Sequence, residues 1–219
     1  NEKQILEIQY NKKKYKFSLN LIGKIQINNI LMAILAAHKS GLKFKNIIRI
    51  LEKIKPVEGR LQKIGNIRNN SKVILDYAHT PEALKLSLLN LKEQFPSSKI
   101  NLVFGCGGNR DFKKRYVMGR IADEYSDNIY LTDDNPRHED PSRIRKDIKK
   151  GIKRKIIFEI PSRKKAIIES IKNLNTGDIV LVAGKGHEKN QDYGSKKILF
   201  SDKEVILQSI KNKNKSLSK

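Results

Sequence analysis

The stretch DDNPR at residues 133–137 puts two carboxylates, an amide, a ring-locked φ and a guanidinium directly after the β-rich run NIYLT. Proline stiffens the turn, so Asn135 and Arg137 project from a fixed frame on either side of Pro136. A plain turn whose Asp and Asn bond their own backbone has no use for an arginine. The planar fork of Arg137 instead suits a carboxylate held through two parallel hydrogen bonds, with Asp134 beside it. Two other stretches carry related hardware. GCGGNRD at residues 105–111 turns sharply on glycines and offers Arg110, with Asp111 able to orient it. AGKGHE at residues 183–188 allows close backbone approach at Gly184 and supplies Lys185, His187 and Glu188. Glu188 is suited to an ammonium group, while His187 reads equally well as a satisfied loop residue. Two carboxylate-seeking arginines and one ammonium-seeking glutamate describe a pocket for an amino acid, one with two carboxylates. A fourth stretch, DYAHTP at residues 76–81, adds Asp76, able to accept from ribose hydroxyls, and His79, able to reach phosphate, which fits a nucleotide.

Other chemistries are excluded by spacing. No G-x-x-x-x-G-K-[ST] phosphate loop occurs, and GCGGNR lacks the G-x-G-x-x-G spacing of dinucleotide binders. Four histidines and one cysteine show no metal-ligand spacing, so no metal site is expected. Cys106 has no histidine and carboxylate near it in sequence and reads as a small buried apolar group.

These groups share a position in the chain: each follows a predicted strand. From Gly59 onward, short β-rich runs (KVILDY, INLVFG, NIYLT, KIIFEI, DIVLVAG) alternate with helical segments, which predicts an α/β fold with a Rossmann-like, mostly parallel sheet. The runs are nearly continuously apolar, as in strands covered on both faces. Helix starts are predicted at Thr80, Asp140, Ser162 and Ser201, the last with Glu204 in a capping box. In such sheets ligands bind beyond the carboxyl ends of the strands, so the candidate residues are expected along one rim. Before this domain, QILEIQYNKKKYKFSLN predicts a hairpin, INNILMAILAAHKSG a helix ended by Gly41, and FKNIIRILEKI a second helix stopped before Pro56. One hairpin and two helices are thin for an independent core, so residues 1–58 read as the end of another domain and 59–219 as the main one.

The 219 residues carry 46 Lys+Arg against 23 Asp+Glu, a net charge of +23. The excess is scattered lysine without an arginine-rich block, zinc-finger spacing or aromatic-basic motif, so no nucleic-acid partner is expected. A single cysteine excludes an internal disulfide and fits a reducing compartment. With no apolar run of membrane length and no signal peptide, neither a membrane partner nor export is expected, and the location reads as cytoplasmic.

Five stretches in order, GRLQ, DYAHTPEAL, VFGCGGNRDFKKRYVMGRIA, TDDNPRHEDPSRI and VLVAGKGHEKNQDYG, closely resemble the diaminopimelate-adding branch of the Mur ligase family, over nearly the whole chain. The resemblance implies an enzyme of three domains: one holding a UDP-sugar, a central ATPase domain, and a mobile C-terminal domain that brings the amino acid. Residues 1–58 would then end the central domain. It implies ATP as substrate with magnesium, phosphorylation of the D-glutamyl carboxylate of UDP-MurNAc-L-Ala-D-Glu, and attack of the amine of meso-diaminopimelate on the acyl phosphate. The rate would come from positioning and charge neutralisation. Carried over by position, Arg110, Asn135, Arg137, Gly184 and Glu188 fall on the diaminopimelate-binding positions, with Asp134 and Pro136 completing the motif. Arg137 would pair with the distal carboxylate that lysine lacks. Arg60 and His79 would stand by the phosphates as the catalytic candidates; Asn29, Arg60 and Asp76 would contact the nucleotide.

The departures are specific. The family's T-G-T-N-G-K-T loop, modified lysine and magnesium-binding glutamate belong to upstream sequence absent here. GKIQINN at residues 23–29 replaces G-x-F-N-v-x-N, with Gln26 at an asparagine position. The chain is therefore expected to hold the amino acid and part of the nucleotide, without phosphoryl transfer by itself, and a chain carrying the upstream domains is a possible partner. Two alternatives stand beside this: another Mur-type amide ligase, lysine-adding or folylpolyglutamate-like, against which DNPR argues, and a non-catalytic basic α/β module that holds RNA or an anionic surface.

Overall fold

The structure is a computed structural model that describes residues 3–154 and 156–218. A hairpin opens it. Strands β1 (Gln4–Tyr10) and β2 (Lys13–Leu19) pair antiparallel through a two-residue loop, Asn11 and Lys12, both at positive φ. That is the turn whose twist matches the strands. Helices α1 (Lys24–Lys39) and α2 (Phe44–Ile48) follow, and Leu6, Leu19, Ile30, Ile34, Phe44 and Leu51 make a core of their own between hairpin and helices. The second helix is shorter than its sequence predicts. It stops at Ile48 and resumes only as one 3₁₀ turn, Leu51–Lys53. The run Ile47, Ile48, Arg49, Ile50 loses χ1 freedom in a helix and gives little propensity to carry it through.

The rest is one six-stranded sheet in the order β3-β4-β8-β5-β6-β7. Its strands are β3 (Gln62–Lys63), β4 (Lys72–Asp76), β5 (Ile100–Phe104), β6 (Asn128–Leu131), β7 (Ile156–Glu159) and β8 (Ile179–Ala183). All run parallel except β3, an antiparallel edge. Lys155, the first residue of one predicted strand, lies outside the described residues, as do Asn1, Glu2 and Lys219.

Register sorts the side chains. Ile74, Leu181, Leu102 and Ile129 stand side by side across four strands and face α3 (Pro81–Gln94), α4 (Lys113–Tyr125) and α5 (Pro141–Lys149). Their neighbours Leu75, Val182, Val103 and Tyr130 face α6 (Arg163–Lys172) and α7 (Asp202–Ser216). Both faces of the central strands are thus covered, which explains their unbroken apolar runs. The edge strand β7 departs from the expectation, with Ile156 well exposed. A further hairpin, β9 (Asn190–Asp192) with β10 (Lys197–Leu199), stands between β8 and α7. Among the described residues no helix is long and apolar enough to cross a membrane.

β8 returns between β4 and β5, so the chain reverses its direction across the sheet there. The loops after β4, β8, β5 and β6 leave neighbouring strand ends at this reversal, where an open α/β sheet leaves a crevice.

Candidate functional site

The crevice is a cleft of about 680 Å³ lined by Arg110, Asp134, Asn135, Arg137, Gly184 and Glu188, together with His79, Tyr77, Lys113 and Lys114. Of the expected amino-acid set only Pro136 does not line it. Loops 105–111 and 132–140 lie backbone against backbone. Gly108 N–H donates to Asn135 O at 2.9 Å, and a Cβ on Gly108 would collide with the Pro136 carbonyl, so only glycine fits.

Arg137 is half-buried at φ 54°, the left-handed region. Its Nη1 donates to Gly108 O (2.8 Å) and Asn135 O (3.4 Å), and its Nε lies 4.0 Å from Asp192 Oδ2, while Nη2 has no partner among the described residues. The side chain is therefore anchored through one nitrogen with another left to serve a ligand. Arg110 is exposed and free of protein partners among the described residues. Asp111, expected to orient it, instead accepts from the Lys113 N–H at 2.9 Å, the helix-start contact of α4.

Lys185 is the largest surprise. Expected as a charge on the rim, it is wholly buried, its Nζ donating to Asn135 Oδ1 (2.8 Å) and Glu188 Oε2 (2.7 Å). Asn135 closes the triangle through Nδ2 to Glu188 Oε2 at 3.0 Å. Burial would raise the Glu188 carboxyl, but hydrogen bonds from Lys185 and Asn135 and the charges of Lys185 and Arg163 hold it below its ordinary value. Glu188 thus stays ionised at the cleft, with one oxygen committed to an internal cation.

Behind the cleft, three arginines that the sequence reading passed over brace the same loop. Arg145 pairs with Asp133, Arg115 with Glu139 at 2.8 Å, and Arg163 faces Asp134 Oδ2 at 3.9 Å. The partner of each lies within or just after DDNPR. The hairpin β9–β10 clamps the loop from the other side: Gln191 Nε2 donates to the carbonyls of Asp133 (3.2 Å) and Asp134 (2.7 Å), and Asp192 N–H donates to Asn135 Oδ1 at 3.0 Å.

The nucleotide candidates sit elsewhere. Asn29, Arg60 and Asp76 line a second cavity of about 450 Å³. The segment 76–83 forms the wall between it and the cleft. On that wall the Arg60 guanidinium lies 4.8 Å from the Tyr77 ring centre, and His79 meets the Tyr77 ring edge-on at 4.7 Å. The two catalytic candidates therefore lie in separate cavities, though each contacts the Tyr77 ring. His79 Nδ1 donates to the Tyr77 carbonyl at 2.9 Å, since a carbonyl oxygen can only accept. The Asp76 carboxylate is committed internally, accepting from the N–H groups of Leu61 and Tyr77 and from the Ser87 hydroxyl. Burial raises its pKa in spite of those bonds. Cys106 packs against Met118, its thiol pushed up by burial to about 12, too high for a nucleophile. Among the described residues no three His, Cys, Asp or Glu side chains are grouped to hold a metal ion.

A family model described as Mur ligase, glutamate ligase domain, matches residues 59–186. A UDP-N-acetylmuramoyl-L-alanyl-D-glutamate–2,6-diaminopimelate ligase of Rickettsia felis is 45% identical over 215 residues, 97% of this chain and 40% of that protein. Its namesake in Rickettsia rickettsii is 46% identical over 209 residues, 95% of this chain and 43% of that protein. A solved structure titled as such a ligase superimposes with a TM-score of 0.69 at 31% identity, covering 98% of this chain and 43% of that one. The chain thus spans about two fifths of the length of the curated relatives it matches.

Proposed function

Because the chain belongs to the Mur ligase family, we propose that it is the amino-acid-binding portion of a ligase that adds meso-diaminopimelate to UDP-MurNAc-L-Ala-D-Glu in cytoplasmic peptidoglycan synthesis. One observation carries this reading: two guanidiniums with open donors, Arg110 and Arg137, line the same cleft as two carboxylates, Asp134 and Glu188. Such a set is complementary to a zwitterion with a second acidic end. Asp134 and Glu188 receive ammonium, Arg110 a carboxylate, and Arg137 the distal carboxylate. L-lysine would set a bare ammonium against the Arg137 guanidinium, two like charges facing each other with no carboxylate between them.

Residues 1–58 are read as the end of the central ATP-binding domain and 59–219 as the C-terminal domain. The second cavity then takes part of ATP, with Arg60 stacked on Tyr77 beside the phosphates, Asn29 toward the base, and His79 close to the acyl phosphate from the amino-acid side. Asp76, whose oxygens serve internal donors, is the weakest member of that set. Among the described residues no three acidic or imidazole side chains are grouped to hold magnesium, whose ligands are expected in upstream sequence. What the chain contributes is orientation: the amine is held by anionic groups while its carboxylates are clamped, so that the nucleophile is presented in fixed geometry.

Calorimetry with meso-diaminopimelate and L-lysine tests the reading. The wild-type chain should bind the first weakly and the second not at all, and Arg137→Ala should abolish the first. Equal affinities for the two amino acids would remove the proposal.

A further inference from the structure

Arg163 opens α6 and is buried together with its partner Asp202, which opens α7. The guanidinium forks onto both carboxylate oxygens, Nε to Oδ1 at 2.8 Å and Nη2 to Oδ2 at 2.7 Å, and Nη2 also donates to the Ala183 carbonyl at the end of β8. Its remaining nitrogen, Nη1, has no hydrogen-bond partner among the described residues. Neither has Asp134 Oδ2, which lies 3.9 Å away. Two unsatisfied buried atoms of opposite charge, facing each other just beyond hydrogen-bond range, call for an explanation. The other Asp134 oxygen accepts from the Asn135 N–H at 2.8 Å, which fixes the carboxylate plane. Oδ2 fills the space that a Cβ on Gly184 would invade, 2.8 Å from it.

We propose that Arg163, held by Asp202, is a positioning residue for the cleft: its charge, without a hydrogen bond, fixes the buried Asp134 carboxylate and with it the loop that presents Asn135 and Arg137 to the incoming amino acid. A guanidinium farther away would release the carboxylate and the loop it belongs to. Asp202 takes up the rest of the Arg163 charge, so the buried guanidinium adds no net cation behind the cleft. The same guanidinium also acts at longer range on Glu188. The identity of the ligand rests on the function proposed above; the hold on Asp134 does not.

The competing explanation is a plain cross-link between α6, α7 and β8. Replacing the pair by apolar residues of similar size, Arg163→Met with Asp202→Leu, separates the two, because such swaps of buried ion pairs often leave a fold as stable as before. The double variant should melt near the wild type, yet amide exchange at Asn135 in the free chain should speed up by about tenfold and meso-diaminopimelate affinity should fall by about tenfold or more. Wild-type exchange and affinity in the folded double variant would overturn the proposal. Should that variant fail to fold, Arg163→Lys decides: it keeps the charge and loses the fork, so it should melt lower with Asn135 exchange unchanged, whereas accelerated exchange there would overturn the proposal. If the wild-type chain takes up no meso-diaminopimelate, the substrate reading falls, and the exchange measurement, which needs no ligand, still decides the role of Arg163.

Discussion

Arg137 sits at φ 54°, a backbone region that costs an L side chain about 1–2 kcal/mol. Its N–H donates to Asp192 O at 2.9 Å and its Nη1 to two carbonyls, so surrounding bonds hold the strained residue in place. Strain of this kind gathers where a side chain must be aimed. It also permits a measurement that separates stability from recognition. Arg137→Ala and Arg137→Gly both remove the guanidinium, but only glycine relieves the backbone. In urea denaturation the glycine variant should be the more stable of the two by about 1 kcal/mol. Calorimetry should find both equally unable to hold meso-diaminopimelate. If glycine gives no gain over alanine, the residue is not strained as its backbone angle indicates.

The hairpin β9–β10 shows how an element positions residues it does not contain. Gln191 donates to two buried carbonyls of the DDNPR loop, so Gln191→Ala leaves both without a donor, at about 1–3 kcal/mol. Exchange of the Asn135 and Arg137 amides should then accelerate while amides of β4, β5 and β8 keep wild-type protection; uniform acceleration would mean that the hairpin serves global stability instead. This hairpin was not legible in the sequence, because three-residue strands carry no alternation and the loop it clamps lies more than 50 residues upstream. The two-residue edge β3 escaped for the same reason. What was legible is local. Thr80, Asp140, Ser162 and Ser201 each accept from an N–H in the first turn that follows, as their positions predict. The long apolar runs, too, are strands of the sheet, central ones apart from β7 at its edge. The cleft-facing residues could be found because glycine, proline and charge cluster at strand ends. Their supports could not: Arg145, Arg115 and Arg163 find acidic partners 12, 24 and 39 residues away and look like surface charge when read in order. Lys185 was misplaced for a related reason, since its neighbours in sequence are rim residues while its Nζ turns inward to Asn135.

At the scale of the whole molecule, buried and exposed charge behave differently. The Arg163–Asp202 pair and the Lys185 triangle are shielded from salt by burial, whereas most of the +23 is lysine on the surface. Self-repulsion of that excess opposes compaction. Raising ionic strength from about 0.01 M to about 0.15 M shortens the Debye length from about 30 Å to about 8 Å, which removes much of the repulsion and leaves buried pairs intact. Melting temperature should therefore rise with sodium chloride by a few degrees. Acid should enlarge the effect through the carboxylates. Glu188 and Glu159, whose pKa values the fold lowers, contribute stability present above their unfolded values and lost as pH falls through the folded ones. Asp76, raised by burial, works in the opposite sense: its contribution improves as pH falls through its folded value. The lowered groups act together with growing positive charge, so the balance favours destabilisation by acid, and salt should recover more degrees at pH 4.5 than at pH 7. Differential scanning calorimetry across a salt series at the two pH values checks this. A melting temperature that falls with salt at neutral pH would show that surface ion pairs, such as Lys203 with Glu58 at 2.7 Å, outweigh the repulsion.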